Sequence, residues 1–207
     1  MSEKSIKIVL VVIPLTFVAM FFFDKATAKT EAVADFSKTE TVKVAEINAE
    51  NPFFVDTVIL EQDIKDKLQS IFRAEIGVRE LTGNNDGVRV EEYLATCNLK
   101  KGQPWCAAYV NWCYMQIGVK GGGCYSPNWF PKEKIVKGTP DRCDVFGLYY
   151  KEKGRIAHVG FIDDWNGGAD FCITVEGNTN EGGSREGDGV YCKRRVKNQI
   201  YRVARWL

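Results

Sequence analysis

An α+β fold is predicted by three features of this sequence. Apolar residues recur at offsets of three and four from Glu61 to Ile117, short Gly-punctuated runs take over beyond Gly118, and a turn signal at Asn166-Gly167-Gly168 joins two of those runs. Helices followed by antiparallel strands place the two kinds of element in separate layers. The first helix is expected over Ile64, Leu68, Ile71, Phe72 and Ile76, with Gly77 as its stop. A second follows the turn Gly83–Gly87 and carries Val90, Tyr93, Leu94 and Cys97 on one face. Gly102-Gln103-Pro104 opens a third, whose inner stripe would be Cys106, Val110, Cys113, Tyr114 and Ile117. Strands are expected over 155–162, 171–176, 189–196 and 200–206.

The 207 residues carry 28 Lys+Arg against 27 Asp+Glu, a net of +1 without long single-sign blocks, which argues against nucleic acid as a bulk-charge partner. An apolar fraction of 45% is that of a packed domain, not of a disordered chain. Residues 8–23 form an apolar run preceded by Lys4 and Lys7 and followed by Ala26-Thr27-Ala28, the layout of a signal peptide with a small-residue cleavage site. The same run fits an uncleaved membrane tether, being only slightly short of a bilayer span. Either way, residues 29–207 are expected outside the cytoplasm, in the cell envelope or periplasm. Residues 1–28 are thus read as signal or anchor, 29–60 as a polar flexible linker and 61–207 as the folded domain, expected to be monomeric.

A thiol in the first turn of a helix is favoured as thiolate by unpaired backbone N–H groups and the helix dipole, which makes Cys106 a candidate nucleophile. Its base can only be His158, the single His of the chain, and the base needs an orienting acceptor. A hairpin centred on Gly167 puts Glu176 directly opposite His158 and Asn178 opposite Ile156, so Glu176 is the first choice and Asn178 the fallback. Seven Cys leave one thiol over if six form bridges, while Cys97 and Cys113 also suit free core positions. No C-x-x-C pair occurs, and the turn Asn84–Gly87 offers too few oxygens for calcium, so neither metal nor cofactor is expected.

Gly77-Val78-Arg79-Glu80, Asn85-Asp86-Gly87, Tyr93-Leu94, Gly102 to Val110 with its Pro-Trp-Cys-Ala-Ala block, Asp144-Val145, His158-Val159-Gly160 and Glu176-Gly177-Asn178 together resemble the CHAP-type amidohydrolases and peptidases. These are cell-wall enzymes of the papain-like superfamily related to the NlpC-type peptidases, and the resemblance spans roughly residues 64–196. It implies a papain-like α+β fold, with helices and a helix-start nucleophile packed on an antiparallel sheet or half-barrel. It also implies thiol-dependent cleavage of peptidoglycan stem peptides or cross-bridges by Cys106, His158 and Glu176, with Asn178 supporting. Where relatives commonly have Gly-Asp at the start of a central strand, this chain has Cys143-Asp144. The backbone N–H of Cys106 and the side chain of Gln103 are candidate oxyanion donors, Gln103 having helix capping as its other role. Trp105, Tyr125 and Trp129 are candidates for the substrate groove, with core packing as the alternative for each. A catalytically silent peptidoglycan-binding module and a secreted antibacterial toxin are the competing functions.

Overall fold

The computed structural model describes residues 52–182 and 187–207, with side chains from Leu60 onward. The expected leader at 1–28, including the run 8–23, lies outside the described residues, as does most of the expected linker. Among the described residues no helix is long and apolar enough to cross a membrane.

Helix α1 spans Pro52–Ala74, so it starts inside the segment expected to be linker rather than at Glu61. Only part of its predicted stripe is buried: Leu68 and Phe72 are fully covered, whereas Ile64 and Ile76 are exposed. Phe72 stacks on Phe161 of the sheet at 4.6 Å, a contact that docks the helix and buries two rings worth about 1.5–3 kcal/mol each. Helix α1 ends where Gly77 adopts φ 101°, a conformation that costs glycine little. Helix α2, Val88–Ala95, buries Val90, Tyr93 and Leu94. Helix α3, Cys106–Gln116, is enclosed on nearly all sides, not along a single stripe, with eight residues buried from Cys106 to Tyr114.

Five strands follow: β1 Val145–Tyr150, β2 Arg155–Asp164, β3 Phe171–Thr179, β4 Gly189–Val196 and β5 Arg202–Ala204. They form one antiparallel sheet in the order β4-β3-β2-β1-β5. The α+β arrangement, helices first and packed on an antiparallel sheet with Cys106 at a helix start, is the one the sequence predicts. Strand β1 was not among the expected strands, because Val-Phe-Gly-Leu-Tyr-Tyr has no polar alternation to mark it. Its Gly147 is required by packing: a Cβ there would lie 2.6 Å from Phe130 and 2.9 Å from Ile156. Cys143, at the Gly position of the resemblance, has φ 70°, the left-handed conformation that normally selects glycine.

The β2–β3 register differs from the expected one by two residues. Phe161 opposes Val175 and Ile162 opposes Thr174, so the next step places Gly160, not His158, across from Glu176. The cause lies in the turn. Asp164 opposes Ile173, which centres the turn between Gly168 and Ala169 rather than on Gly167, and Lys197 bonds it from outside, donating Nζ to the Asn166 carbonyl at 2.8 Å and its backbone N–H to the Asp170 carbonyl at 2.9 Å. An irregularity between Ile162 and Asp164 gives β2 an extra residue, Asp163, which brings the offset of three at the turn back to two and whose carboxylate turns to Arg73 and Gln69 of α1. A shift of two preserves the face, so His158 and Glu176 remain on one side of the sheet.

Cysteine parity gives the wrong count. Cys97 and Cys124 form the disulfide, and five thiols are free. Cys113, Cys143 and Cys172 are buried and pack as small apolar residues. The bridge closes a separation of 27 residues, worth about 3–4 kcal/mol in the chain-entropy account. It pins the loop carrying Tyr125 and Ser126 to the end of α2.

Candidate active site

Cys106 enters the site because Trp105 is fixed beneath it. Glu80 is anchored by its backbone N–H to Asp188 at 2.8 Å, and its Oε1 accepts the indole N–H of Trp105 at 2.8 Å. Trp105 also stacks on Tyr93 at 5.6 Å and is fully buried. The first intrahelical bond of α3 runs from Tyr109 N–H to the Trp105 carbonyl at 2.8 Å. The backbone N–H groups of Cys106 to Ala108 therefore lack intrahelical acceptors and supply positive potential where the thiol sits. Cys106 is 5% exposed, with Sγ 3.7 Å from Ser126 Oγ.

His158 stands on β2 between that thiol and Glu176. Its Nε2 is 2.8 Å from Glu176 Oε2, which leaves Nδ1 as the ring nitrogen available to the thiol. Because the register puts Glu176 diagonal to His158, the carboxylate leans across Gly160, where a Cβ would lie 3.0 Å from Glu176 Cγ and 2.9 Å from both Phe146 and the Val175 carbonyl. Gly160→Ala is accordingly expected to displace Glu176, lowering kcat about tenfold or more and costing about 1–3 kcal/mol of stability as overpacking. Steady-state kinetics and urea denaturation would check it, and a wild-type kcat would contradict it.

Burial raises the cost of every charge here, yet the three groups support one another. Burial opposes ionisation of Cys106, but the hydrogen bond and charge of His158, with Ser126 and the Val159 N–H, outweigh it and hold the thiol below its ordinary value. Burial also disfavours the His158 cation, while Cys106 and Glu176 raise it to about 9. Glu176, again despite burial, is held well below the usual carboxylate range by His158 and Arg195. The set favours a thiolate–imidazolium pair over a neutral thiol and imidazole.

The other predicted residues divide. Tyr125 is half exposed and lines the cleft beside Cys106, as does the exposed Gln103. Trp105 and Trp129 do not line it: both are fully buried, with Trp129 donating to the Gly123 carbonyl at 2.8 Å and packing on Tyr114 and Trp206. Asn178 is not an orienter of His158. With φ 55°, it donates Nδ2 to Asn85 Oδ1 at 2.7 Å and so ties the 80–87 loop to the cleft edge. The sequence reading missed Ser126, Thr174 and Arg195. Glu80 belongs to the motif that carries the resemblance, which gives it no role of its own. The motif around Glu80 is the available signal for that residue, whereas the basic run Lys193-Arg194-Arg195 gives none for Arg195.

A cleft of about 610 Å³ opens on one side of Cys106, between Gly83–Asn85 and the Lys153, Lys193 and Arg195 side chains. A second limb of about 470 Å³ continues past Gln103, Tyr125 and Ser126, and both limbs touch Cys106 and Ala157. Among the described residues, no group of three His, Cys, Asp or Glu side chains is placed to hold a metal ion.

No family model and no curated protein sequence matches the chain. Solved structures of similar architecture include the P60 domain of an antigen from M. avium paratuberculosis, at 15% identity and TM-score 0.47, covering 73% of this chain and 99% of that one. The peptidoglycan hydrolase RipB from Mycobacterium tuberculosis is similar at 16% identity and TM-score 0.47, covering 78% and 74%. A mutated form of the resuscitation promoting factor interacting protein RipA is similar at 15% and TM-score 0.46, covering 72% of this chain and 64% of that one.

Proposed function

We propose that this chain is a cysteine amidase or peptidase that cleaves an amide bond in peptidoglycan stem peptides or cross-bridges. One observation carries the chemistry: His158 lies between a thiol at a helix start and a buried carboxylate 2.8 Å from its far nitrogen. The Cys106 thiolate attacks the amide carbonyl carbon. The resulting oxyanion faces the Cys106 backbone N–H, with Gln103 as a second donor. His158 gives its Nδ1 proton to the leaving amine as the C–N bond breaks, leaving a thioester. Water then attacks the thioester with His158 as base, releasing a carboxylate and restoring the thiol pair. The substrate class rests on the motif resemblance. It is supported by a groove that continues on both sides of Cys106, as an extended peptide requires.

We place the folded part in the envelope or periplasm, exported or tethered by residues 8–23, and acting as a monomer without a cofactor. Isolated peptidoglycan incubated with the full chain should release new fragments, identified by mass spectrometry, and thiol alkylation beforehand should stop their release. Binding to peptidoglycan with no fragments from the folded, unblocked chain would instead support the silent binding module. Recovery of the native chain from the medium rather than the envelope would favour a secreted toxin.

A further inference from the structure

Glu176 is more heavily bonded than a histidine orienter needs to be. Besides His158, its Oε2 accepts Arg195 Nη2 at 2.6 Å, and its Oε1 accepts Arg195 Nε at 2.7 Å and Thr174 Oγ1 at 2.6 Å. The carboxylate is fully buried and the Arg195 side chain is 15% exposed. The β3–β4 register explains the arrangement: Cys172 opposes Arg195 and Glu176 opposes Tyr191, so Arg195 and Glu176 rise from the same face. Phe146 lies under the guanidinium at 5.7 Å, shielding one side of it.

We propose that Arg195 is a positioning residue of this site: its two-pronged contact fixes the rotation of the Glu176 carboxylate so that Oε2 is presented to His158, and its charge shares the carboxylate with the imidazole. The proposal rests on the assignment of Cys106, His158 and Glu176 as the reacting set. A planar fork matched to both carboxylate oxygens removes the free rotation that a single His–Glu bond would allow. The shared charge keeps Glu176 ionised whichever protonation state His158 occupies during turnover. Thr174 fills a remaining acceptor site, so no lone pair is left to draw the carboxylate off its line.

Other groups act on this pair from each packed element: Cys106 from α3, Tyr150 from β1, Cys172 from β3, and Cys192 and Lys193 from β4. Arg195 differs in touching the carboxylate directly. Removing a cation next to the pair makes the imidazolium harder to deprotonate and the thiolate harder to form. Both limbs of a pH profile should therefore move upward when Arg195 is neutralised. A purely structural brace would lower activity or stability without moving either limb.

The single His makes the test direct, since only His158 contributes a ring resonance to titrate. Full-length wild type, Arg195→Gln and Arg195→Lys would be titrated by NMR, and alkylation of the Cys106 peptide would be followed against pH by mass spectrometry. Wild-type His158 is expected to titrate near 9. Arg195→Gln should raise that midpoint, and the alkylation midpoint of Cys106, by about half a unit or more. Arg195→Lys keeps the charge without the fork, so its midpoints should stay near wild type while kcat falls about tenfold at unchanged KM. A folded Arg195→Gln protein with wild-type midpoints would overturn the electrostatic part, and an Arg195→Lys protein with wild-type kcat would overturn the orienting part. Should Arg195→Gln fail to fold, the Lys variant still decides: a displaced His158 midpoint with charge retained would refute the proposal. Absence of turnover in wild type would refute the thiol-hydrolase assignment alone, because the NMR titration judges Arg195 without it.

Discussion

Replacement of Cys106 by Ala is expected to reduce peptidoglycan cleavage by about 10⁴-fold or more while leaving the protein folded. The chemical loss is complete because no other thiol touches His158: Cys113, Cys143 and Cys172 are buried elsewhere, and the exposed Cys192 lies on β4. The structural loss is small. Cys106 Sγ fills a site bounded by Ser126 Oγ at 3.7 Å and the Ala157 carbonyl at 4.0 Å, and deleting one buried atom costs about 1 kcal/mol. A second readout accompanies the first. The thiol helps raise His158 toward 9, so His158 in the Cys106→Ala protein should titrate lower than in wild type. Cys192→Ser serves as the control and should keep full activity. Cleavage by Cys106→Ala within about tenfold of wild type would remove Cys106 from the role of nucleophile.

Which parts of this site were legible in the sequence follows from what each residue's position depends on. Cys106 and His158 could be read because helix-start chemistry is local and because a chain with one His offers one choice of base. Glu176 was found although the pairing used to find it was wrong by two residues, since an even slip keeps a side chain on its face. A slip of one would have pointed to Gly177, which has no side chain to offer. Arg195 was not legible: its contact requires the β3–β4 register, which depends on a long connection, and within Lys193-Arg194-Arg195 a basic run reads as solvated surface. Trp105 and Trp129 were candidates for the groove by adjacency alone. Both are core because each indole N–H finds an acceptor within the fold, the half-buried Glu80 for one and the Gly123 carbonyl for the other. Those partners lie in loops whose course no periodicity announces.

The division of labour between layers accounts for the geometry. Helix α3 presents Cys106 from a helical layer fixed by Trp105, Tyr93 and Glu80, whereas His158, Glu176 and Arg195 belong to the sheet. Contact between the layers is set by Phe72 on Phe161 and by Tyr109, whose hydroxyl donates to the Phe72 carbonyl at 2.8 Å and whose ring meets Phe161 edge-on. The thiol therefore meets its base through a rigid aromatic joint, which suits a reaction that tolerates little misplacement. At the open end of the joint, the Cys97–Cys124 bridge and the 80–87 loop border the two limbs of the cleft.

Glu176→Ala should have the largest effect on stability and a large one on catalysis. It leaves the Arg195 guanidinium, 15% exposed, without its counter-charge, and removing one partner of such a buried pair costs about 3–5 kcal/mol. It also frees the His158 ring from its orienting bond, for an expected loss of about 10²–10⁴-fold in kcat. The pH dependence separates these contributions. Glu176 has a lowered pKa in the fold, so its stabilisation is present above its unfolded value of about 4.3 and is lost as pH falls through the lower folded value. His158 has a raised pKa, so its stabilisation is fully present below about 6.5 and is lost as pH rises through about 9. The stability gap between wild type and Glu176→Ala should therefore be widest between about pH 4.3 and 6.5. It should narrow towards pH 9 as the His158 proton leaves, while the Arg195 share persists because guanidinium does not titrate there. Urea denaturation of both proteins across this range would trace the gap. Parallel curves from neutral pH to pH 9 would mean that Glu176 is bound to Arg195 for structure and does not hold the proton of His158.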